Sequence, residues 1–274
     1  MNLTNIIGRA AVVAALAATA ACTPIDDDDR LIYVKPAQVN SAVLIEDFTG
    51  QKCINCPFAA TEIENIVEQY GEDHVIAVGI HCGLGMKQTA TSKYQGLMTD
   101  TGNQYYAAWG RPGQPAGLIN RSTDKTTGYT TWSNQVRTEI EKTAPLSLKV
   151  TNNYLSADRS LSISIDAFGT NGDTDGNLQV WLVEDSIISL QDMPTELGGG
   201  RVYNYVHNHV FRANVTEDLW GDGVSVKEGQ TVKKTYTYTL PEKWEANHVA
   251  VVAFVTDTDH KNVKQVVKQP IVNK

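Results

Sequence analysis

Hydrophobic and polar positions change their period near the middle of the chain. In the first half, an apolar run at 43–45 predicts a strand. Ala59, Ile63, Ile66, Val67 and Tyr70 then recur at helical spacing, with Gly71 as the stop. Residues 75–80 are apolar throughout, as in a strand covered on both faces, so the three segments predict a βαβ unit with parallel strands. Weaker helical patterns cover 87–98 and 104–109. A short strand is expected to end at Ile119, and a last helical stripe carries Tyr129, Trp132, Val136 and Ile140. Beyond Ala144-Pro145 the helical period gives way to alternation at 146–150, 161–165, 178–183, 202–211, 232–240, 249–255 and 263–272. About seven short strands with Gly, Asn and Asp turns predict a β-sandwich for residues 144–274.

The amino terminus follows different rules. Arg9 is the only charge before an apolar run at 10–21, which Thr19-Ala20-Ala21-Cys22 closes in the order of a secretory signal. That run is too short to span a bilayer, and nothing after residue 21 approaches a span in length. Residues 1–21 are therefore expected to be removed. Asp26-Asp27-Asp28-Asp29 then stays solvated and extended, which makes 22–40 a tether. Over 274 residues, 42% apolar and 20% charged content fits a packed protein. A net charge of -8 without a Lys/Arg cluster argues against a nucleic-acid partner.

Cysteine spacing brings in chemistry. Cys53 and Cys56 form a C-x-x-C pair at a strand-to-helix turn, where helix N–H groups and the dipole favour a thiolate and Lys52 adds a cation. An exported chain meets oxidising conditions, in which a Cys53–Cys56 disulfide persists. The spacing also serves zinc sites, with His81-Cys82 as the second ligand pair, although the flanking Pro57 suits redox exchange better. Asn171–Gly176 begins like a calcium loop, but Leu182 stands where a closing Glu belongs, so a hairpin turn is expected. His207 and His209 share a strand face and read as hydrogen-bonded structural histidines rather than metal ligands. No metal or cofactor is called for. The long loop expected at 187–200 is where a binding surface would most easily sit.

Several of these stretches resemble known families. Thr19-Ala20-Ala21-Cys22 resembles the lipobox of bacterial lipoproteins, with Thr19 in place of the usual Leu, which implies a lipid on Cys22. Cleavage by the ordinary signal peptidase, leaving Cys22 incidental, is the alternative. The acidic run after it resembles the export signal that sends Bacteroidetes-type lipoproteins to the outer face of the outer membrane; the periplasmic face is the alternative. Asp47-Phe48 before the C-x-x-C, with Gln114-Pro115-Ala116 before a short strand, resembles the thioredoxin-like fold over 41–143. That resemblance implies that Cys53 attacks, Cys56 resolves, Asp47 relays the proton, Pro115 is cis and Gln114 offers backbone groups to a bound peptide. Lys52 departs from the aromatic residue usual there, and the polar run 121–127 replaces a strand. The β half suggests the immunoglobulin-like type of sandwich.

Glu46-Asp47-Phe48-Thr49-Gly50 before C-x-x-C-Pro, together with Tyr205-Val206-His207-Asn208-His209 and Val251-Val252-Ala253-Phe254-Val255, resembles the outer-membrane-protein-28-related lipoproteins of the Bacteroidetes. The fold class expected is thus an α/β thioredoxin-like domain followed by an all-β immunoglobulin-like sandwich. Two functions fit: a surface interaction protein whose Cys53–Cys56 disulfide is permanent, binding a protein or peptide partner, or a lipid-anchored thiol-disulfide oxidoreductase. Cys82 reads as a buried inert thiol that could otherwise exchange with the pair, and Asp185-Ser186-Ile187 matches the short O-glycosylation motif of such bacteria.

Overall fold

The computed structural model describes residues 35–272 apart from 90 and 91, so the expected signal segment, Cys22 and the acidic run lie outside the described residues. Strand β1 (Val39–Asn40) pairs with β5 (Thr143–Ala144), closing the first half on itself. Strand β2 (Val43–Thr49) is buried at every position and lies parallel to β3 (Val75–His81), with Asp47 opposite Gly79 and Thr49 opposite His81. Helix α1 (Cys56–Tyr70) joins them. Pro57 sits in its first turn, where no amide donor is needed, and Gly71 at φ 90° ends it. Its Ala59, Ile63 and Ile66 pack with Ile45, Ala77, Trp132 and Val136.

Helix α2 (Asp100–Ala108) is capped by the Thr99 hydroxyl, which accepts from the Gly102 amide at 2.9 Å. Strand β4 (Ala116–Ile119) runs antiparallel to β2 and α3 (Trp132–Ile140) covers it. The strand missing from the polar run after Ile119 is reduced to one bridge, Gly117 to Thr127. The helix expected at 87–98 does not form. Its described residues fold back so that Lys87 bridges Met98, and a Cβ on Gly96 would stand 2.5 Å from the Gln88 amide. Such a close return of backbone on backbone suits glycine and excludes a helix.

The second half contributes β6 (Leu146–Leu155), β7 (Ser160–Gly169), β8 (Thr174–Glu184), β9 (Ile187–Asp192), β10 (Arg201–His207), β11 (Val210–Asn214), β12 (Asp222–Val226), β13 (Thr231–Thr239), β14 (Val249–Thr256) and β15 (Gln265–Pro270). One sheet is β13-β7-β6. Its Leu161, Ile163 and Ile165 pack with Val180, Leu182 and Val251 from β8 and β14, making a two-layer sandwich. Strand β13 alternates strictly because one face meets water, whereas β14 is buried throughout because both its faces are covered.

Two strand expectations need correction. Residues 202–211 are not one strand: His209 at φ 56° breaks them into β10 and β11, which belong to different sheets. Ile187–Asp192 of the expected loop 187–200 form strand β9, which among the described residues pairs with β10 alone. The turn before β8 crosses from one sheet to the other, so it is a turn but no hairpin, and Asp173 there accepts from Lys227.

The large sheet does not stop at Ala144-Pro145. Its order is β15-β14-β8-β11-β3-β2-β4, with β12 also on β8, and β11 meets β3 in parallel at Val210 and Gly79. At the seam, Arg121 is fully buried. It donates to both oxygens of Glu46 on β2 (2.7 and 2.8 Å), to Gln179 on β8 (2.9 Å) and to the His260 carbonyl after β14 (3.1 Å). Its guanidinium lies over the Trp220 and Phe254 rings. Charge and hydrogen bonding are both satisfied there, as a buried arginine requires.

Candidate functional site

Strand β2 delivers the chain to Gly50, where the backbone turns sharply against the 82–85 loop. A Cβ on Gly50 would lie 2.5 Å from the Leu84 carbonyl carbon, so this approach requires glycine. Lys52 donates its amide to Leu84 (3.0 Å) and Cys53 to Gly50 (2.9 Å). Cys53 and Cys56 form a disulfide with a Cα–Cα distance of 5.4 Å. Helix α1 begins at Cys56, so Cys53 stands just before the helix, in the strand-to-helix turn where the sequence placed the pair.

The Gln114–Pro115 peptide bond is cis. The Gln114 side chain donates to the carbonyls of Thr49 (2.6 Å) and Cys82 (3.1 Å), and its oxygen accepts from Leu84 (2.8 Å). It clamps the three segments beside the turn. Cys82 is wholly buried, and burial pushes its thiol far up, with the Asp47 carboxylate adding to the effect.

Asp47 lies behind the disulfide on β2 and is nearly fully buried. Burial raises its carboxyl from 3.8 to about 7, against the pull of the Thr49 hydroxyl. Its Oδ1 has no hydrogen-bond partner in the protein. It faces a cavity of about 60 Å³ also lined by Cys56, Pro57, His81, Gln191 and His207. His81 on β3 meets His207 on β10 edge to face at 5.2 Å between centroids, and its Nδ1 is likewise unpartnered. Burial, followed by the nearby His207 and Arg212, holds His81 well below the usual imidazole value. Burial pushes His207 down to about 4, opposed by the Leu190 carbonyl 3.2 Å from its Nε2. Both rings are therefore neutral at pH 7.

His209 has other partners. Its Nδ1 is 3.1 Å from Asp185, its amide donates to the same carboxylate (2.6 Å), and Lys268 holds the second oxygen (3.0 Å). Burial would raise Asp185, but His209 and Lys268 outweigh it and hold the carboxyl far down. Among the described residues no three His, Cys, Asp or Glu side chains are grouped as a metal would need.

The β9–β10 hairpin covers the front of the turn. Gln191 donates to the Cys53 carbonyl at 2.9 Å, and the Asp192 amide donates to the Gln51 carbonyl at 2.9 Å. Gln51, wholly buried, donates to the Ser189 hydroxyl (2.8 Å) and the Gln95 carbonyl (2.9 Å) and accepts from the amides of Met86 and Leu97. Cys53 is left 2% exposed and Cys56 3%. On the outer side Ile54, Ile188, Tyr203 and Val206 are all exposed.

Sequence reasoning brought Asp47, Cys53, Cys56, Gln114 and Pro115 to one end of β2 but missed Gln51, Gln191 and the hairpin. The missed signal lay on β9, where polar Ser189 and Gln191 share the inward face with Ile187 while Ile188 faces out.

Comparison with known proteins places these features in context. The family model for outer membrane protein Omp28 matches residues 102–274. HBP35 of Porphyromonas gingivalis has a similar fold, with a TM-score of 0.63 and 15% identity over 85% of this chain and 76% of that one. A domain of the outer membrane lipoprotein Omp28 from Porphyromonas gingivalis aligns over 47% of this chain and 88% of that one, with 21% identity and a TM-score of 0.33. None of the curated proteins matches the sequence.

Proposed function

The chain belongs to the Omp28 family of outer membrane proteins, and from that premise we propose that it is a lipid-anchored interaction protein of the outer membrane. On this reading a thioredoxin-like scaffold (41–143) carries an immunoglobulin-like sandwich (144–274), Cys22 takes the lipid and the acidic tether directs the body to the cell surface. The observation that carries it is the burial of Cys53 under the β9–β10 hairpin, with its carbonyl held by Gln191. Thiol exchange needs a partner sulfur to reach the S–S bond, and rates depend on that access. A hairpin in the way favours a disulfide that staples the turn, and the exposed Ile188, Tyr203 and Val206 offer a protein or peptide partner an apolar face.

The test uses cells carrying the full chain. Thiol-specific gel shift and external protease digestion should find Cys53 and Cys56 fully oxidised and the body cleaved from outside. Protection of the whole body from protease would put it on the periplasmic face, and a substantial reduced fraction would overturn the staple.

A second reading, a gated thiol-disulfide oxidoreductase, is supported by the buried Asp47, which lines one cavity with Cys56. With the hairpin lifted, the Cys53 thiolate would attack a partner disulfide and Cys56 would resolve the mixed disulfide. Mixed disulfides trapped by Cys56→Ser would favour it, and the absence of adducts would favour the staple.

A further inference from the structure

We propose that the open groove where the two halves of the chain meet, built on Trp109, Trp220 and His260 and rimmed by two carboxylates and two ammonium groups, binds a neutral carbohydrate. The groove has a volume of about 600 Å³, within the range of roughly 300–1,000 Å³ typical of ligand sites. It shares no lining residue with the cavity beside the disulfide, so the proposal stands apart from both readings above. Four segments converge on it: the end of α2, the polar run after β4, the loop between β11 and β12, and the turn between β14 and β15. Two come from before Ala144 and two from after it, and ligand sites gather at such junctions.

The aromatic surface is held in a fixed orientation. The Trp220 amide donates to the Asp218 side chain (2.7 Å), and the Leu219 carbonyl before it accepts from Gln179 (2.8 Å). Tyr105 meets the Trp220 ring edge to face at 5.6 Å between centroids, and His260 stacks on it at 5.2 Å with 18° between the planes. His260 stands at φ 67°, uncommon for a residue other than glycine, and its carbonyl accepts from Arg121 (3.1 Å). Trp109 caps α2 and, like Trp220, is only partly buried. Such indoles are preformed plates: the C–H face of a sugar ring packs on them with little further ordering of side chains.

The charges at the rim decide the class of ligand. Asp124 and Asp259 are matched by Lys125 and Lys261, and Lys261 donates to Asp124 at 2.6 Å, so the four formal charges sum to zero. With no excess of either sign, a cation or an anion gains little there. The Trp220 ring also carries the Arg121 guanidinium already, 5.4 Å from its centroid, which makes it a poor seat for a second cation. A neutral sugar suits both parts of the groove. Its C–H groups meet the indoles, while its hydroxyls donate to the exposed carboxylates of Asp124 and Asp259 and accept from the exposed Lys125 in charge-assisted hydrogen bonds.

The test is a glycan array probed with the full chain in a detergent that has no sugar headgroup, followed by calorimetric titration of the glycans retained. Wild type should bind one or more uncharged glycans. Trp109→Ala should weaken that binding about tenfold or more, as truncation of an aromatic anchor does, and Trp109→Phe should keep most of it. The Asp259 side chain is exposed, so Asp259→Ala should leave the melting temperature unchanged while weakening binding about threefold or more. Retention of no glycan would overturn the proposal, as would undiminished binding by Asp259→Ala or by a folded Trp109→Ala. Retention of sialylated or sulfated glycans alone would assign the groove to an anion, and saturable binding of tetramethylammonium in place of glycans would assign it to a cation; either result would overturn the proposal.

Discussion

Replacing Arg121 by methionine tests how the two halves are held together. The side chain bonds Glu46 twice, Gln179 and the His260 carbonyl, and both members of the ion pair are at most 1% exposed. Methionine keeps much of the volume under Trp220 and Phe254 but leaves Glu46 as a buried carboxylate with no cation. Breaking a buried pair from one side costs about 3–5 kcal/mol. Two further acceptors lose their donor at about 1 kcal/mol or more each, so the total should lie toward the upper end. At roughly 2–4 °C per kcal/mol for a body of this size, the melting temperature should fall by about 8–20 °C. Urea unfolding of the soluble body measures the loss, and the double variant Glu46→Leu/Arg121→Met provides the check. With the carboxylate gone, the double variant should regain most of the stability. A single variant within about 1 kcal/mol of wild type, or a double variant no better than the single, would refute the seam as described.

Three further outcomes follow from the site. Because Asp47 is raised from 3.8 to about 7, the native state holds a proton the unfolded chain has released, an advantage lost as pH rises through 7. Asp47→Asn should therefore gain on wild type by on the order of 3–4 kcal/mol between pH 4 and 8 in urea midpoints, and a constant difference would contradict this. His207, lowered from 6.5 to about 4, acts in the opposite direction: its contribution is lost as pH falls through that window. His207→Gln should flatten the acid limb by about 3 kcal/mol, and an unchanged limb would remove His207 from it. Cys82, buried and with its thiol pushed up, should resist N-ethylmaleimide in the native chain and react fully in urea; rapid native labelling would show that the sheet end opens.

The βαβ unit was legible because its signals are local: apolar strands, a helical stripe and a glycine stop at Gly71. The sandwich strands were legible for the same reason, through alternation. Strand ends and partners were less so, since His209 turns the chain between two sheets with no glycine or proline to mark the place. The shared sheet rests on a single parallel pairing, Val210 with Gly79, between segments 131 positions apart, which no local pattern encodes. In the site, Asp47, Cys53, Cys56, Gln114 and Pro115 stood out because a known motif spaces them. Gln51 and Gln191 did not, because a buried glutamine becomes meaningful only once its partners are in place. Arg121 stood only in a polar run and Glu46 only in a motif, and no local pattern shows that the fold buries the two together.

The most direct test of the sealed disulfide is the rate at which dithiothreitol reduces Cys53–Cys56 in the native soluble body, compared with the same chain in urea and with Gln51→Ala/Gln191→Ala. Native reduction should be at least about 100-fold slower than in urea. Removing the two glutamines, which together hold the hairpin and the 86–97 loop to the turn, should recover roughly tenfold or more, since 1.4 kcal/mol corresponds to a factor of ten and each lost bond is worth about 1 kcal/mol. Equal rates in the native and unfolded chain, unmoved by the glutamine variants, would mean that the hairpin does not cover the disulfide.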